Sequence, residues 1–249
     1  MTSALFVVSA ADRWTLADGT THPTGFWAEE LAVPHRRFRA AGWEITIATP
    51  AGVVPTVDPG SLVPRATGGA ERSAELSDDL TSIADELEHP LSLDDVEGAD
   101  FDVLFYPGGH APMEYLAVDE TSGRLLTDAL DSGRHLGVLC HAPAALLAAR
   151  RDDGSWPFSG YRMTGFTDAE ERLGGLAARA RWLVQSRLVE RGADFVEGAP
   201  FAEHIEVDRR LFTGQNPASS GALATALLES VAAAGLAVER GAEAPVAKE

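Results

Sequence analysis

Gly137-Val138-Leu139-Cys140-His141-Ala142-Pro143-Ala144-Ala145-Leu146-Leu147 is the segment from which the rest of the chain takes its order. Its first half is short and apolar and reads as a buried strand. Its second half consists of strong helix formers, with Pro143 suited to a first helical turn, where a missing N–H costs nothing. Cys140 therefore falls where a strand turns sharply into a helix. On such an elbow the side chain projects above the carboxyl edge of a sheet, and the helix start offers unpaired N–H groups and the positive end of a dipole. Both favour thiolate over thiol, and the thiolate is the reactive form. Cys140 is also the only cysteine in the chain. An inert buried cysteine at a strand end is the plain alternative; the adjacent His141 and the Pro143 beyond it favour a nucleophile.

Working outward from Cys140, strands and helices alternate. Apolar strands are expected over 4–10, 44–49, 101–106, 161–165, 193–196, 205–207 and 211–213, and helices over 24–41, 70–88, 119–132, 176–191 and 214–234. Residues 12–23 read as a long polar loop, and 50–69, rich in Pro, Gly and Val, as an irregular excursion. This alternation implies an α/β fold: a flavodoxin-like, doubly wound, mostly parallel sheet with helices on both faces, a nucleophile elbow at Cys140, and a site at the strands' carboxyl ends. Pro107-Gly108-Gly109-His110 also follows a strand, and its two glycines allow a tight turn whose exposed N–H groups can hold an oxyanion. A single domain is expected over 1–238, with 239–249 a frayed tail.

The 249 residues carry a formal net charge of −18, which argues against a nucleic-acid partner and against an anionic membrane surface. One cysteine excludes an intrachain disulfide framework and any cysteine-cluster metal site. His204 with Glu203 and Glu206 reads as a solvated hairpin, so no metal is expected. No apolar run approaches membrane-spanning length and the first residues lack a leader pattern, so a cytoplasmic protein is expected.

Five pieces of the chain, in order, carry a resemblance. They are Thr24-Gly25 with Glu30 and Pro34; Pro107-Gly108-Gly109-His110; Cys140-His141-Ala142-Pro143; Thr164-Gly165-Phe166-Thr167-Asp168 with Glu171; and Thr213-Gly214-Gln215-Asn216-Pro217-Ala218-Ser219. Together they resemble the ThiJ/PfpI superfamily, with its class I glutamine amidotransferase-like fold. Within it they resemble most the branch of heat-shock chaperones and glutathione-independent glyoxalases (glyoxalase III), also described as deglycases. The resemblance implies Cys140 as nucleophile, Glu30 exchanging a proton beside its sulfur, His141 as neighbouring acid/base and Glu171 orienting that histidine. It implies an oxyanion hole from N–H groups near Gly109 and His141, with Gly108, Gly109, His110 and Ala142 against substrate. Glu29 is adjacent to Glu30 and only one of them can face the cysteine; spacing from Thr24-Gly25 favours Glu30. Glu170, Asp168 and a residue near His204 remain rivals to Glu171.

The implied activity is conversion of methylglyoxal and other 2-oxoaldehydes to 2-hydroxy acids, in a homodimer that needs no cofactor. Two alternatives remain open. One is a holdase chaperone or oxidant sensor that turns nothing over; the other is a cysteine amidase or peptidase.

Overall fold

The computed structural model describes residues 1–242. Its strands are β1 (Ser3–Val7), β2 (Arg13–Thr15), β3 (Thr21–Pro23), β4 (Glu44–Thr49), β5 (Leu91–Ser92), β6 (Val103–Tyr106), β7 (His135–Leu139), β8 (Arg162–Met163), β9 (Asp194–Phe195), β10 (Ile205–Asp208) and β11 (Leu211–Gly214). Its helices are α1 (Ala28–Ala40), α2 (Pro64–Thr67), α3 (Ala70–Ser82), α4 (Ala84–Glu88), α5 (Ala111–Glu114), α6 (Glu120–Asp131), α7 (Asp168–Gly174), α8 (Val184–Glu190) and α9 (Ser220–Ala242).

Seven strands form one sheet in the order β10-β11-β7-β6-β1-β4-β5. All its neighbours run parallel except β10 and β11, which are antiparallel. The central strands are apolar throughout because both of their faces are covered. Along β1, Leu5 and Val7 enter one core with Leu125 and Leu126 of α6 and Val184 of α8. Ala4 and Phe6 enter the other core with Leu31 and Phe38 of α1 and Leu223 and Leu227 of α9. Helices thus lie on both faces, as the alternation requires. The strand order reverses between β1 and β6, and an open sheet has its crevice at such a reversal, beyond the carboxyl ends. The turns after β6 and β7 both open there. No helix among the described residues is long and apolar enough to cross a membrane.

The structure corrects several local expectations. Residues 12–23 are not a plain loop: β2 and β3 pair as a hairpin, Arg13 opposite Pro23. The helix expected over 176–191 survives only as α8. Gly175, left-handed at φ 84°, ends α7, and the backbone carbonyl of Arg179 is used to accept the N–H of Ala17 at 2.8 Å, so 176–183 serves the hairpin instead of a helix. Residues 70–88 break at Ile83 into α3 and α4. The segment after Cys140 is a 3₁₀ helix, Ala142–Ala148, not an α-helix. The expected tail begins inside α9, which continues to Ala242; residues 243–249 lie outside the described residues.

Candidate active site

Cys140 sits one residue beyond β7 with φ 61°, a left-handed conformation unusual for a residue with a side chain. Two main-chain bonds hold it there. Its N–H donates to the Gly214 carbonyl at 2.8 Å, and its carbonyl accepts the Phe166 N–H at 2.7 Å. Strand β11 and the loop before α7 thus pin the elbow from both sides, which is how strained geometry persists at a reacting group.

The turn after β6 meets the elbow. The Gly108 N–H donates to Glu30 Oε2 at 2.8 Å, and the Gly108 carbonyl accepts the Trp27 N–H at 3.0 Å. A Cβ on Gly108 would lie 2.9 Å from Cys140 Cβ and 2.7 Å from Glu30 Oε2, so only glycine lets the three segments close up. At Gly109, φ is 90° and a Cβ would run into the Gly25 carbonyl. Its N–H faces the Cys140 sulfur. Gly25 in turn packs on the Thr56 carbonyl, while Thr24 Oγ1 donates to buried Asp58 at 2.9 Å. The Thr24-Gly25 pair therefore sets the entry into α1 and, through it, the depth of Glu30.

Glu30 is fully buried beside the sulfur, whereas Glu29 faces outward and pairs with Arg72 at 2.9 Å. Burial pushes the Glu30 carboxyl up to about 8, and its Oε1 has no hydrogen-bond partner. At neutral pH it is therefore an uncharged acid with a proton to give. Cys140 departs from expectation. Its residue surface is only 3% exposed, and burial pushes the thiol up, with any charge on Glu30 pushing the same way and the Gly109 N–H opposing it. An exposed, dipole-stabilised thiolate is not what this elbow provides. The Glu30–Cys140 pair instead holds at most one negative charge between two buried groups.

On the other side, Cys140 Sγ is 3.3 Å from His141 Nδ1, and His141 Nε2 is 2.8 Å from Glu171 Oε2. The two histidines beside Glu171 hold its carboxyl well below the usual carboxylate range despite its burial. Burial pushes His141 down to about 4, so the ring is neutral. An ionised Glu171 can only accept, so His141 carries its proton on Nε2 and presents a bare Nδ1 lone pair to the sulfur. His110 bonds the other oxygen, with Nε2 3.1 Å from Glu171 Oε1.

The rivals to Glu171 face elsewhere. Glu170 caps α7 with Thr167 and accepts from the Phe201 N–H and Asn216 Nδ2, each at 2.8 Å. Asp168 accepts from Ser186, and His204 lies beside Glu206. Ala142 is fully buried at the start of the 3₁₀ helix, under the elbow. Two aromatic partners escaped sequence reading. Trp14 stacks on His110 with centroids 4.6 Å apart, and Phe166 stacks on His141 at 4.3 Å. Trp14 had no detectable signal, because its hairpin read as loop; Phe166 stood inside a quoted motif without a role. His110, His141 and Glu171 also offer donor atoms within 4.8 Å of one another, a two-histidine, one-carboxylate set of the kind that holds zinc or iron, where no metal was expected. Occupying it would take His141 Nε2 away from Glu171.

A parallel α/β sheet with a strained cysteine elbow, a di-glycine turn beside it and a histidine–carboxylate pair behind it defines a class of cysteine-elbow proteins. Within that class the chain belongs to the DJ-1/PfpI family, whose model matches residues 22–230. It is 30% identical over 231 residues to the protein/nucleic acid deglycase HchA of Staphylococcus aureus, covering 88% of this chain and 76% of that one. Among solved structures, the 24 kDa rapid encystment protein of Francisella tularensis superposes with a TM-score of 0.80 at 26% identity, over 92% of this chain and 99% of that one. A glyoxalase III from Candida albicans superposes with a TM-score of 0.77 at 24% identity, over 92% and 96%.

Proposed function

We propose that the chain is a cysteine-dependent, glutathione-independent glyoxalase III-like enzyme that converts methylglyoxal and related 2-oxoaldehydes to 2-hydroxy acids. The observation that carries this reading is the bracketing of one sulfur by an uncharged buried acid, Glu30, and a neutral histidine, His141, whose tautomer Glu171 dictates. Its relatives supply the substrate class: a glyoxalase III shares the fold, and the deglycase HchA shares both fold family and 30% of its residues.

As the sulfur attacks the aldehyde carbon, His141 Nδ1 takes the thiol proton. The C–S bond forms and the carbonyl pair moves onto oxygen, where the Gly109 N–H, which lies against the sulfur, would stabilise it. Glu30 gives its proton to that oxygen, completing the hemithioacetal. The carboxylate so formed then removes the proton from the sulfur-bearing carbon and returns it to the neighbouring carbon, through an enediol whose oxygens exchange a proton with His141. The product is a 2-hydroxyacyl thioester. Water cleaves its C–S bond, giving lactate from methylglyoxal and restoring the thiol. The sum is one aldehyde plus one water to one hydroxy acid, with no net redox change, and Cys140 supplies the thiol that glutathione would otherwise provide. Deglycase action, which HchA's name states for that protein on proteins and nucleic acids, would need the same sulfur and the same proton transfers. A small carbonyl compound is the partner in this reading, in a cytoplasmic homodimer.

Purified protein incubated with methylglyoxal, without glutathione or metal, is expected to release lactate, and Cys140→Ala is expected to release none. Full activity in the alanine variant would overturn the mechanism. Lactate released from methylglyoxal-treated protein after free aldehyde is removed would extend the activity to adducts.

A further inference from the structure

The Thr213–Ser219 motif takes no part in the chemistry above, yet Gln215 and Asn216 are fully buried polar side chains. Both are spent on one irregular loop. Gln215 Oε1 accepts the Gly198 N–H at 2.7 Å and its amide donates to the Ala199 carbonyl at 3.3 Å. Asn216 donates to the Ala202 carbonyl at 2.7 Å and to Glu170 Oε1 at 2.8 Å, the same oxygen that accepts the Phe201 N–H at 2.8 Å. The product of this clamp is one awkward residue: Phe201 has φ 61° and leaves 51% of its surface exposed. A bulky side chain in the left-handed region is strained, and an aromatic ring half in water contributes little to folding. Strain held by buried polar groups at the edge of a site points to function more than to packing.

What the clamp achieves is position. The Phe201 ring lies 6.2 Å from Phe166, which stacks on His141, whose Nδ1 touches the reacting sulfur. An apolar shelf thus runs from the sulfur outward, and Phe201 is its exposed end. On the reading that the chain acts on 2-oxoaldehydes, we infer that Phe201 is a specificity-determining residue. With Phe166 it receives the substituent R of an R–CO–CHO substrate and favours aryl or larger alkyl R over methyl. A ring stacked or set edge-on against Phe201 gains contact that a methyl group cannot reach.

The test compares kcat/KM for phenylglyoxal and methylglyoxal in wild type and in Phe201→Gly. Glycine accepts φ 61° without strain and keeps the N–H that Glu170 holds, so the loop survives while the ring is lost. The ratio of phenylglyoxal to methylglyoxal kcat/KM is expected to fall roughly tenfold, and Phe201→Tyr is expected to keep the wild-type ratio. An unchanged ratio in Phe201→Gly, or an equal fall for both aldehydes, would overturn the assignment while leaving the glyoxalase reading intact. A wild type that turns over neither aldehyde would reject the glyoxalase reading itself, and the Phe201 assignment with it.

Discussion

Glu170 and Glu171 are neighbours on one helical turn and are given opposite work by a rotation of about 100°. Glu171 points to the two histidines, whereas Glu170 points to the loop clamp and to the cap of α7. Their neutral variants should therefore separate. Glu171→Gln places an amide where an acceptor was needed twice, so one histidine loses its partner and the His141 tautomer is no longer dictated. A kcat loss of about 10²- to 10⁴-fold is expected, along with about 1–3 kcal/mol of stability from the buried histidine left facing a donor. Glu170→Gln keeps the His141 geometry but leaves buried donors facing a donor. It is expected to cost about 1–3 kcal/mol in denaturant unfolding, with a much smaller fall in kcat. If the two kcat effects came out exchanged, the roles drawn from these hydrogen bonds would be reversed.

At the scale of elements, the site is a junction of three segments: the start of α1, the turn after β6, and the elbow after β7. Gly108 stands where they meet, and a Cβ there would lie 2.5 Å from the Leu139 carbonyl as well as against Glu30 and Cys140. Gly108→Ala is therefore expected to destabilise the protein by about 1–3 kcal/mol and to abolish turnover, since whichever segment yields displaces either the sulfur or its acid. A variant with wild-type stability and rate would show that the junction is looser than these distances imply. This junction was legible in the sequence because each segment carries a short local mark: Gly-Gly after a strand, Cys-His-x-Pro at an elbow, Thr-Gly before a helix. The choice of Glu30 over Glu29 rests on spacing from Thr24-Gly25 within the family resemblance, and the structure buries Glu30 and turns Glu29 to Arg72. What was not legible depends on distant partners. Residues 176–183 have a helix's composition but are drawn out by the Ala17–Arg179 main-chain bond across the hairpin. Trp14 gains its meaning only when that hairpin sets it on His110. The thiol's environment is out of local reach for a similar reason: the elbow alone favours a thiolate, but burial by distant segments opposes it, and α1, more than a hundred residues earlier, adds a carboxyl whose charge would push the same way.

For the molecule as a whole, these buried groups set how stability responds to pH. Glu30 rises from an ordinary 4.5 to about 8 in the fold, so the native state keeps a proton that the unfolded chain releases above about 4.5. Its contribution is full below 4.5 and is lost as pH climbs through about 8. His141 falls from 6.5 to about 4, so its contribution is full above 6.5 and is lost as pH drops through about 4. Glu171, held low by its histidines, adds to that acid limb. The alkaline limb in this set belongs to Glu30, and Glu30→Gln removes it while keeping size, neutrality and a donor toward the sulfur. Measured by thermal melts from pH 5 to pH 8.5, the variant is expected to gain on wild type steadily as pH rises, with most of the gain between pH 6 and pH 8. The many surface carboxylates titrate alike in both proteins, so the difference between the two curves isolates Glu30. A Tm difference that stays constant across this range would mean that Glu30 is ionised in the native state at neutral pH. The single negative charge shared with Cys140 would then sit on the carboxylate, and the proton that the mechanism assigns to Glu30 would have to come from His141.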